Sequence, residues 1–323
     1  MAQRAPLKPA NDAAAQKYIT QQMPLRVLLL LVGINLLWAG SSLAAKLAIH
    51  SIPPMTLAFM RFSVAALLMY GIALWRKVDL RVAKRDWGVF WAMGILGLAL
   101  TYLLAYQGLR LTTASNFALL HATETVFLSV LAFLFLGEAM PRAKLLGIGL
   151  GLAGVYLIIA NGWVPHGFSR SAQGNLLIAL ALAFEASSSI VGKNLLARYP
   201  PLSVVTYQML SGAVALAPFS AYELTRQIAS GHPLTLPPAS ALWSLLYLIV
   251  PCTVLGYLIW FSILDKTDAG EMSVFLFIQP VAGALLGFYF LGDKITLFTV
   301  AGALLVLLAV GLVNRRPPPN PAL

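Results

Sequence analysis

The segment Trp38-Ala-Gly-Ser-Ser-Leu-Ala-Ala-Lys46 has a counterpart in Glu185-Ala-Ser-Ser-Ser-Ile-Val-Gly-Lys193. At this spacing of 147, Ala39, Ser41, Ser42 and Lys46 meet Ala186, Ser188, Ser189 and Lys193. Pro53 and Pro54 meet Pro200 and Pro201 in the same register. Further along, the spacing becomes 155. Tyr102, Leu103, Leu109, Thr112, Ala114 and Val126 then meet Tyr257, Leu258, Leu264, Thr267, Ala269 and Val281. Phe133, Phe135, Leu136, Gly137 and Gly147 continue that register to Phe288, Phe290, Leu291, Gly292 and Gly302. The eight added residues fit within the Pro- and Gly-containing segment from Arg226 to Ser240. The chain reads as two copies of one unit.

Both copies consist of apolar sequence. Of 323 residues, 59% are hydrophobic and only 10% are charged, far below the charge a soluble chain of this length carries. Apolar runs of about 18 to 25 residues recur, long enough to cross a hydrocarbon core as helices. They predict spans at 25–48, 54–75, 87–108, 113–136, 143–160, 174–197, 202–224, 240–263, 268–291 and 295–313. A β-barrel would instead show short alternating strands. Five spans per half is an odd number, so the second half enters the membrane from the opposite side. The expected fold is an all-α integral membrane protein of ten transmembrane helices, arranged as two inverted five-helix repeats. Residues 1–24 form an N-terminal segment, 25–160 the first repeat, 174–313 the second, and 314–323 a Pro-rich tail expected to be disordered. Inverted repeats of this kind build alternating-access transporters whose substrate site lies near midplane, where the halves meet.

The net charge of +11 reflects topology rather than nucleic-acid binding. With a cytoplasmic N-terminus, 15 Lys and Arg residues fall inside, among them Arg76, Lys77, Arg81, Lys84, Arg85, Arg142, Arg198 and Lys266. Only Arg110, Arg170, Arg226 and Lys294 fall outside, and Lys46, Arg61 and Lys193 remain within spans. The positive-inside rule then places both termini in the cytoplasm, in a bacterial inner membrane, with the basic loops against anionic lipid.

Cys252 is the single cysteine, so neither an internal disulfide nor a cysteine metal cluster is available. The basic start followed by Val27 to Ala39 has the form of a signal peptide. Because Ala39 to Lys46 match Ala186 to Lys193 within the repeat, the first span is read as permanent. There is no metal-ligand spacing, no Gly-x-Ser-x-Gly and no Walker-type phosphate loop, and an enzyme is not expected. No cofactor is expected either.

Two copies of a five-helix unit, each closing on Leu-Gly-acid, carry a resemblance. The segments are Tyr106-Gln-Gly-Leu-Arg-Leu-Thr-Thr-Ala-Ser115, Ala122-Thr-Glu-Thr-Val-Phe127 and Phe135-Leu-Gly-Glu138. In the second half they are Ala269-Gly-Glu-Met272, Gln279-Pro280 and Leu291-Gly-Asp293. The chain resembles the drug/metabolite transporter superfamily, and within it the EamA-type permeases, over about residues 25 to 313. The resemblance implies transport of amino acids, other metabolites, nucleotide-linked compounds or cationic drugs. That family often has Glu-Pro where this chain has Glu124-Thr125, and only span nine keeps a proline, Pro280, with the kink it implies.

Ionisable groups deep in a bilayer are costly and usually face a cavity or a partner. Glu124 and Glu185 each lie roughly 16 Å inside their spans at the α-helical rise. Gln279 occupies the repeat position of Glu124, and Trp38 that of Glu185, with Asn35 one turn earlier. Arg61 lies too deep to snorkel and is expected either to pair with Glu124 or to hold a substrate carboxylate through two parallel hydrogen bonds. His121 lies three residues before Glu124, so the two are candidates for a proton relay together with Glu185. The bland alternative for each is a hydrogen bond between helices. Tyr102, Tyr106, Tyr257 and Trp260 offer aromatic rings with polar tips, and Tyr207 and Gln208 are the repeat partners of Met60 and Arg61. Their alternative is packing. Trp75, Trp87, Trp91, Trp163 and Trp243 lie near span ends and read as interface anchors. Gly147-Ile-Gly-Leu-Gly151 and Gly283-Ala-Leu-Leu-Gly287 predict close helix contacts, with helices five and ten packing symmetrically and an oligomer contact as the second use.

The expected function is export of amino acids or related small metabolites, with protons as the candidate coupling ion. The expected partners are the lipid bilayer and a small-molecule substrate, with no nucleic acid, in a monomer or homodimer. A multidrug or cationic-compound exporter is the alternative within the class. A membrane-embedded lipid-handling protein or enzyme is the alternative outside it.

Overall fold

A computed structural model of the chain describes residues 24–136, 142–160, 169–231, 236–264 and 274–313. The N-terminal segment before residue 24, the tail from 314, Trp163, Glu138 and Lys266 lie outside the described residues, as does the Lys193 side chain. The described residues form helices joined by short turns. In chain order they are α1 (Leu25–Ala48), α2 (Pro54–Trp75), α3 (Trp87–Gly94), α4 (Thr101–Leu111), α5 (Ala114–His121), α6 (Glu124–Leu136) and α7 (Arg142–Ala160). The second half contributes α8 (Arg170–Leu196), α9 (Pro201–Ala229), α10 (Ala239–Tyr247), α11 (Gly256–Leu264), α12 (Ile278–Leu291) and α13 (Leu297–Val313). Seven helical stretches are long and apolar enough to cross a membrane, and Leu145–Gly154, Ile278–Leu291 and Leu297–Ala309 are shorter apolar helices.

The surface differs from that of a soluble protein, while the core remains mostly apolar. Leu67, Leu134, Phe135, Leu146 and Phe290 are exposed, whereas Asn35, Arg61, Gln208 and Thr253 are buried. Exposed apolar side chains around an apolar core that also holds buried polar groups fit a lipid solvent and mark an integral membrane protein. Trp75, Trp87, Trp91 and Trp243 are exposed at helix ends.

Local chemistry explains the helix boundaries. Pro54 and Pro201 each occupy the first helical turn, where a missing N–H costs nothing, and Pro53 and Pro200 before them are extended with the same φ of -56° and ψ of 141°. Thr113 and Ser169 cap α5 and α8 by accepting from the N–H groups of Asn116 and Ala172. Two spans contain a widened π-helical stretch, Ile95–Leu100 between α3 and α4 and Leu248–Leu255 between α10 and α11. In each, a threonine hydroxyl takes a carbonyl five residues back: Thr101 Oγ1 donates to Leu96 O at 2.8 Å and Thr253 Oγ1 to Leu248 O at 2.7 Å. Pro251 gives the second stretch a further cause, because it cannot donate to the α-helical ladder.

Span four breaks between α5 and α6 at Ala122 and Thr123, although it has no proline. Thr123 Oγ1 donates to Leu120 O at 2.7 Å and occupies that carbonyl locally. Span nine is interrupted at the matching place: Val274–Phe277 is a 3-10 turn and α12 begins only at Ile278.

Small residues set the close contacts. The helices pack as α7 on α13, α2 on α9, α4 on α8, α5 and α1 on α12, α6 on α8, and α1 on α10. A Cβ on Gly154 would stand 2.6 Å from Gly302 O, which explains how α7 and α13 approach so closely. A Cβ on Gly283 would stand 2.6 Å from the Ala118 side chain and 3.1 Å from Ala39 O, in the groove where α12 meets α5 and α1.

Candidate substrate cavity

A narrow cavity lies between α1, α2, α4, α5 and α8. Arg61, Tyr102, Tyr106, His121 and Glu185 line it, with Ser41, Thr101 and Phe117. It admits ≈ 20 Å³ of water centres, room for about one water molecule. A second recess, between Trp38, Ser41, Ser42, Phe117, His121 and Gln279, shares Ser41, Phe117 and His121 with the first. The two form one polar track through the middle of the bundle.

Arg61 is the charged centre of this track and is only 3% exposed. Its Nε donates to Thr253 Oγ1 at 2.8 Å, across to the second half of the chain, and its Nη1 donates to Tyr106 OH at 2.8 Å. The guanidinium carbon stands 4.9 Å from the Tyr102 ring centre and 5.1 Å from that of Phe62. Phe62, Tyr102 and Tyr106 form an edge-to-face series at 4.6 and 5.3 Å. The expected ion pair with Glu124 is not formed. No carboxylate lies within ion-pair distance of Arg61 among the described residues. Its shell is neutral and aromatic, and Glu185 acts on it electrostatically across the same cavity.

Glu124 is the first residue of α6 and lies within electrostatic reach of Glu185. It does not pair with His121. The His121 ring bonds through Nδ1 to Phe117 O at 2.9 Å and packs on the Phe117 ring at 4.7 Å. The break at Ala122 and Thr123 removes the helical register that would have put both side chains on one face. Gln279 Nε2 donates to Asn35 Oδ1 at 2.8 Å, and Asn35 Nδ2 donates to Leu31 O, so the two polar residues satisfy each other beside the recess. Trp38 Nε1 donates to Cys252 O at 2.7 Å, and its ring meets Tyr257 and Trp260 at 6.1 and 5.5 Å. Trp260 thereby belongs to an apolar cluster with Leu31 and Ile34 rather than to the cavity.

Two more expected cavity residues, Tyr207 and Gln208, also lie away from the cavity. The Tyr207 hydroxyl donates to Leu80 O at 2.7 Å, and its ring packs against Trp87 and Phe90 at one end of the bundle. Gln208 is buried, with Nε2 beside Gly97, and its Oε1 has no partner among the described residues. Conversely, Thr253 was not expected at the site, and its only sequence signal is a hydroxyl two residues after a mid-span proline.

Polar networks hold both ends of the track. At one end Lys46 donates to Leu109 O and Thr112 O, and Thr112 Oγ1 donates to Asn175 Oδ1 at 2.7 Å. At the same end Ser115 N donates to Asp293 Oδ2. At the other end Asp86 receives Arg198 Nη1 at 2.7 Å and Tyr199 OH at 2.6 Å.

Comparison with known proteins follows the same architecture. The family model described as EamA-like transporter family matches residues 25–160 and 172–315. A protein of Archaeoglobus fulgidus named "Uncharacterized transporter" is 30% identical over 290 residues, covering 89% of this chain and 97% of that protein. A protein of Streptantibioticus cattleyicolor named "Probable terminal-alkyne amino-acid exporter" is 26% identical over 279 residues, covering 86% of this chain and 90% of that one. One solved crystal structure shares the fold with a TM-score of 0.62 over 89% of this chain and 97% of its own, at 20% identity.

Proposed function

The chain belongs to the EamA-like transporter family, and on that premise we propose that it exports amino acids or related small metabolites by alternating access. Ten spans form two inverted five-helix repeats, at 25–160 and 174–313, in a bacterial inner membrane with both termini cytoplasmic. Protons are the proposed coupling ion, with Glu124, Glu185 and His121 as candidate carriers. Trp38, Arg61, Tyr102, Tyr106, His121, Glu185 and Gln279 line the two recesses, and Asn35, Glu124 and Tyr257 are proposed to join them as the halves part.

The cavity carrying Arg61 and Glu185 supports this reading most directly. The Arg61 guanidinium and the Glu185 carboxyl share a buried space walled by aromatic rings, which suits a small zwitterion. The arrangement of helices supports two structurally matched halves. Packing of α1 on α10 and α11 has its repeat counterpart in α8 on α3 and α4, and packing of α1 on α12 has its counterpart in α8 on α6. The two π-helical stretches also fall at matching repeat positions. In this conformation the cavity holds only about one water, so substrate entry requires the halves to part.

The test is uptake into proteoliposomes of a panel of amino acids, with and without an imposed pH gradient. Saturable movement of an amino acid supports the reading. Movement of lipophilic cations alone would replace it with a drug exporter.

A further inference from the structure

We propose that Arg61 reads a carboxylate on the substrate, so that this transporter discriminates acids from their neutral amides at a single guanidinium. The inference rests on the reading of the cavity as the transport site, and it adds the substrate group that the site selects.

Arg61 carries five N–H donors in a planar fork, and its bonds to Thr253 and Tyr106 use two. The other three have no acceptor among the described residues. A buried guanidinium without an anion is expensive, and fully satisfied buried charges are the rule. If Arg61 served only to join α2 to α4 and to the Thr253 stretch, a neutral donor would do so without that cost. Instead a full charge stands at the cavity wall, hydrogen-bonded to hydroxyls and set against ring faces, with the Glu185 carboxyl on the same cavity but beyond ion-pair distance. The Phe62 and Tyr102 rings, only 4.6 Å apart, lie together on one side of the guanidinium, and its unused donors are left for a ligand. A carboxylate accepts two parallel N–H bonds from such donors. The Glu185 carboxyl on the same cavity wall offers an acceptor for an ammonium beside the substrate carboxylate.

The test uses the full chain in proteoliposomes and two matched pairs of probes, L-threonine with L-threoninamide and L-phenylalanine with L-phenylalaninamide. In each pair the side chain and amine are kept and only the carboxylate is removed. The wild type is expected to take up each acid about tenfold faster than its amide at equal low concentration, the scale of a charge-assisted hydrogen bond. Arg61→Gln should bring the ratio to about one by loss of acid uptake, and Arg61→Lys should recover part of it. Equal uptake of acid and amide by the wild type overturns the proposal while leaving the amino-acid reading intact. A parallel fall of acid and amide in Arg61→Gln also overturns it and makes Arg61 a strut. The wild-type comparison decides the matter even if a variant fails to fold. Uptake of tetraphenylphosphonium with none of either pair overturns both the proposal and the reading beneath it.

Discussion

Asp293 Oδ2 accepts a hydrogen bond from the backbone N–H of Ser115 at 2.8 Å, so the acid that closes the second repeat caps a helix of the first. Ser115 lies in the first turn of α5, where N–H groups lack helical partners and the helix dipole favours negative charge. Gly292 at φ 64° turns the chain out of α12 and delivers Asp293 to that point. The Leu-Gly-acid ending thus has a structural role between halves. Asp293→Ala is expected to lower stability by about 1–2 kcal/mol, the range for lost caps. Asp293→Asn should lose less, because it keeps an acceptor. Thermal melts of the detergent-solubilised protein would read both, and equal melting of wild type and Asp293→Ala would remove the role.

The α7–α13 contact offers a cleaner packing test. A Cβ on Gly154 meets the Gly302 carbonyl at 2.6 Å and the Val306 side chain at 2.8 Å, and backbone cannot give way cheaply. Gly154→Ala should therefore cost about 1–3 kcal/mol through overpacking. Gly149, on the same helix, has nothing within 4 Å of an added Cβ. Gly149→Ala should be neutral or slightly stabilising, since alanine is the better helix former. Similar melting of the two variants would mean the close contact is not maintained in the membrane protein.

Much of this architecture was legible in the sequence because the same physics acts twice. The paired prolines at 53–54 and 200–201 start helices in both halves, since each fixes φ where no N–H is needed. Arg61, Tyr102, Tyr106, His121 and Glu185 stood out as polar groups in apolar runs, and the structure gathers them around one cavity. The failures have local causes. Extrapolating an unbroken helix across residues 121–124 paired His121 with Glu124, and the Thr123 hydroxyl bond accompanies a break in that register. Repeat equivalence to Met60 gave Tyr207 a depth but no rotational direction, and its hydroxyl turns to Leu80 O. Thr253 gave no clear signal because a threonine costs little in a helix, while a π-helical stretch turns it toward Arg61.

The network at the Asp86 end gives a test of orientation. Tyr199 OH donates to Asp86 Oδ2 and accepts from Ala83 N at 3.1 Å, which ties the connection between α2 and α3 to the end of α8. Tyr199→Phe removes both bonds without changing the ring. Local opening of that connection should rise about fivefold for each kcal/mol lost. Trypsin cleavage at Arg81, Lys84 and Arg85 should accelerate accordingly, and only in inside-out vesicles. Acceleration in right-side-out vesicles instead would reverse the proposed topology.

Glu124 and its repeat partner Gln279 differ in proton chemistry, since a carboxyl group ionises and an amide does not. Gln279 is engaged with Asn35, whereas Glu124 begins α6 with no hydrogen bond or ion pair among the described residues. A carboxyl group placed this way can exchange a proton when the track opens to either side, and an amide cannot. Because His121 is bonded to Phe117 O rather than to Glu124, the carboxyl does not depend on that imidazole for the transfer. Glu124→Gln should therefore abolish pH-gradient-driven accumulation while leaving counterflow exchange of the same amino acid near its wild-type rate. A reduction of accumulation by about tenfold or more, with exchange retained, assigns the proton step to Glu124. Glu185 shares the electrostatic environment, so Glu185→Gln is the necessary companion. If Glu124→Gln vesicles keep their full response to the gradient and Glu185→Gln vesicles lose it, the proton belongs to Glu185 and Glu124 is structural.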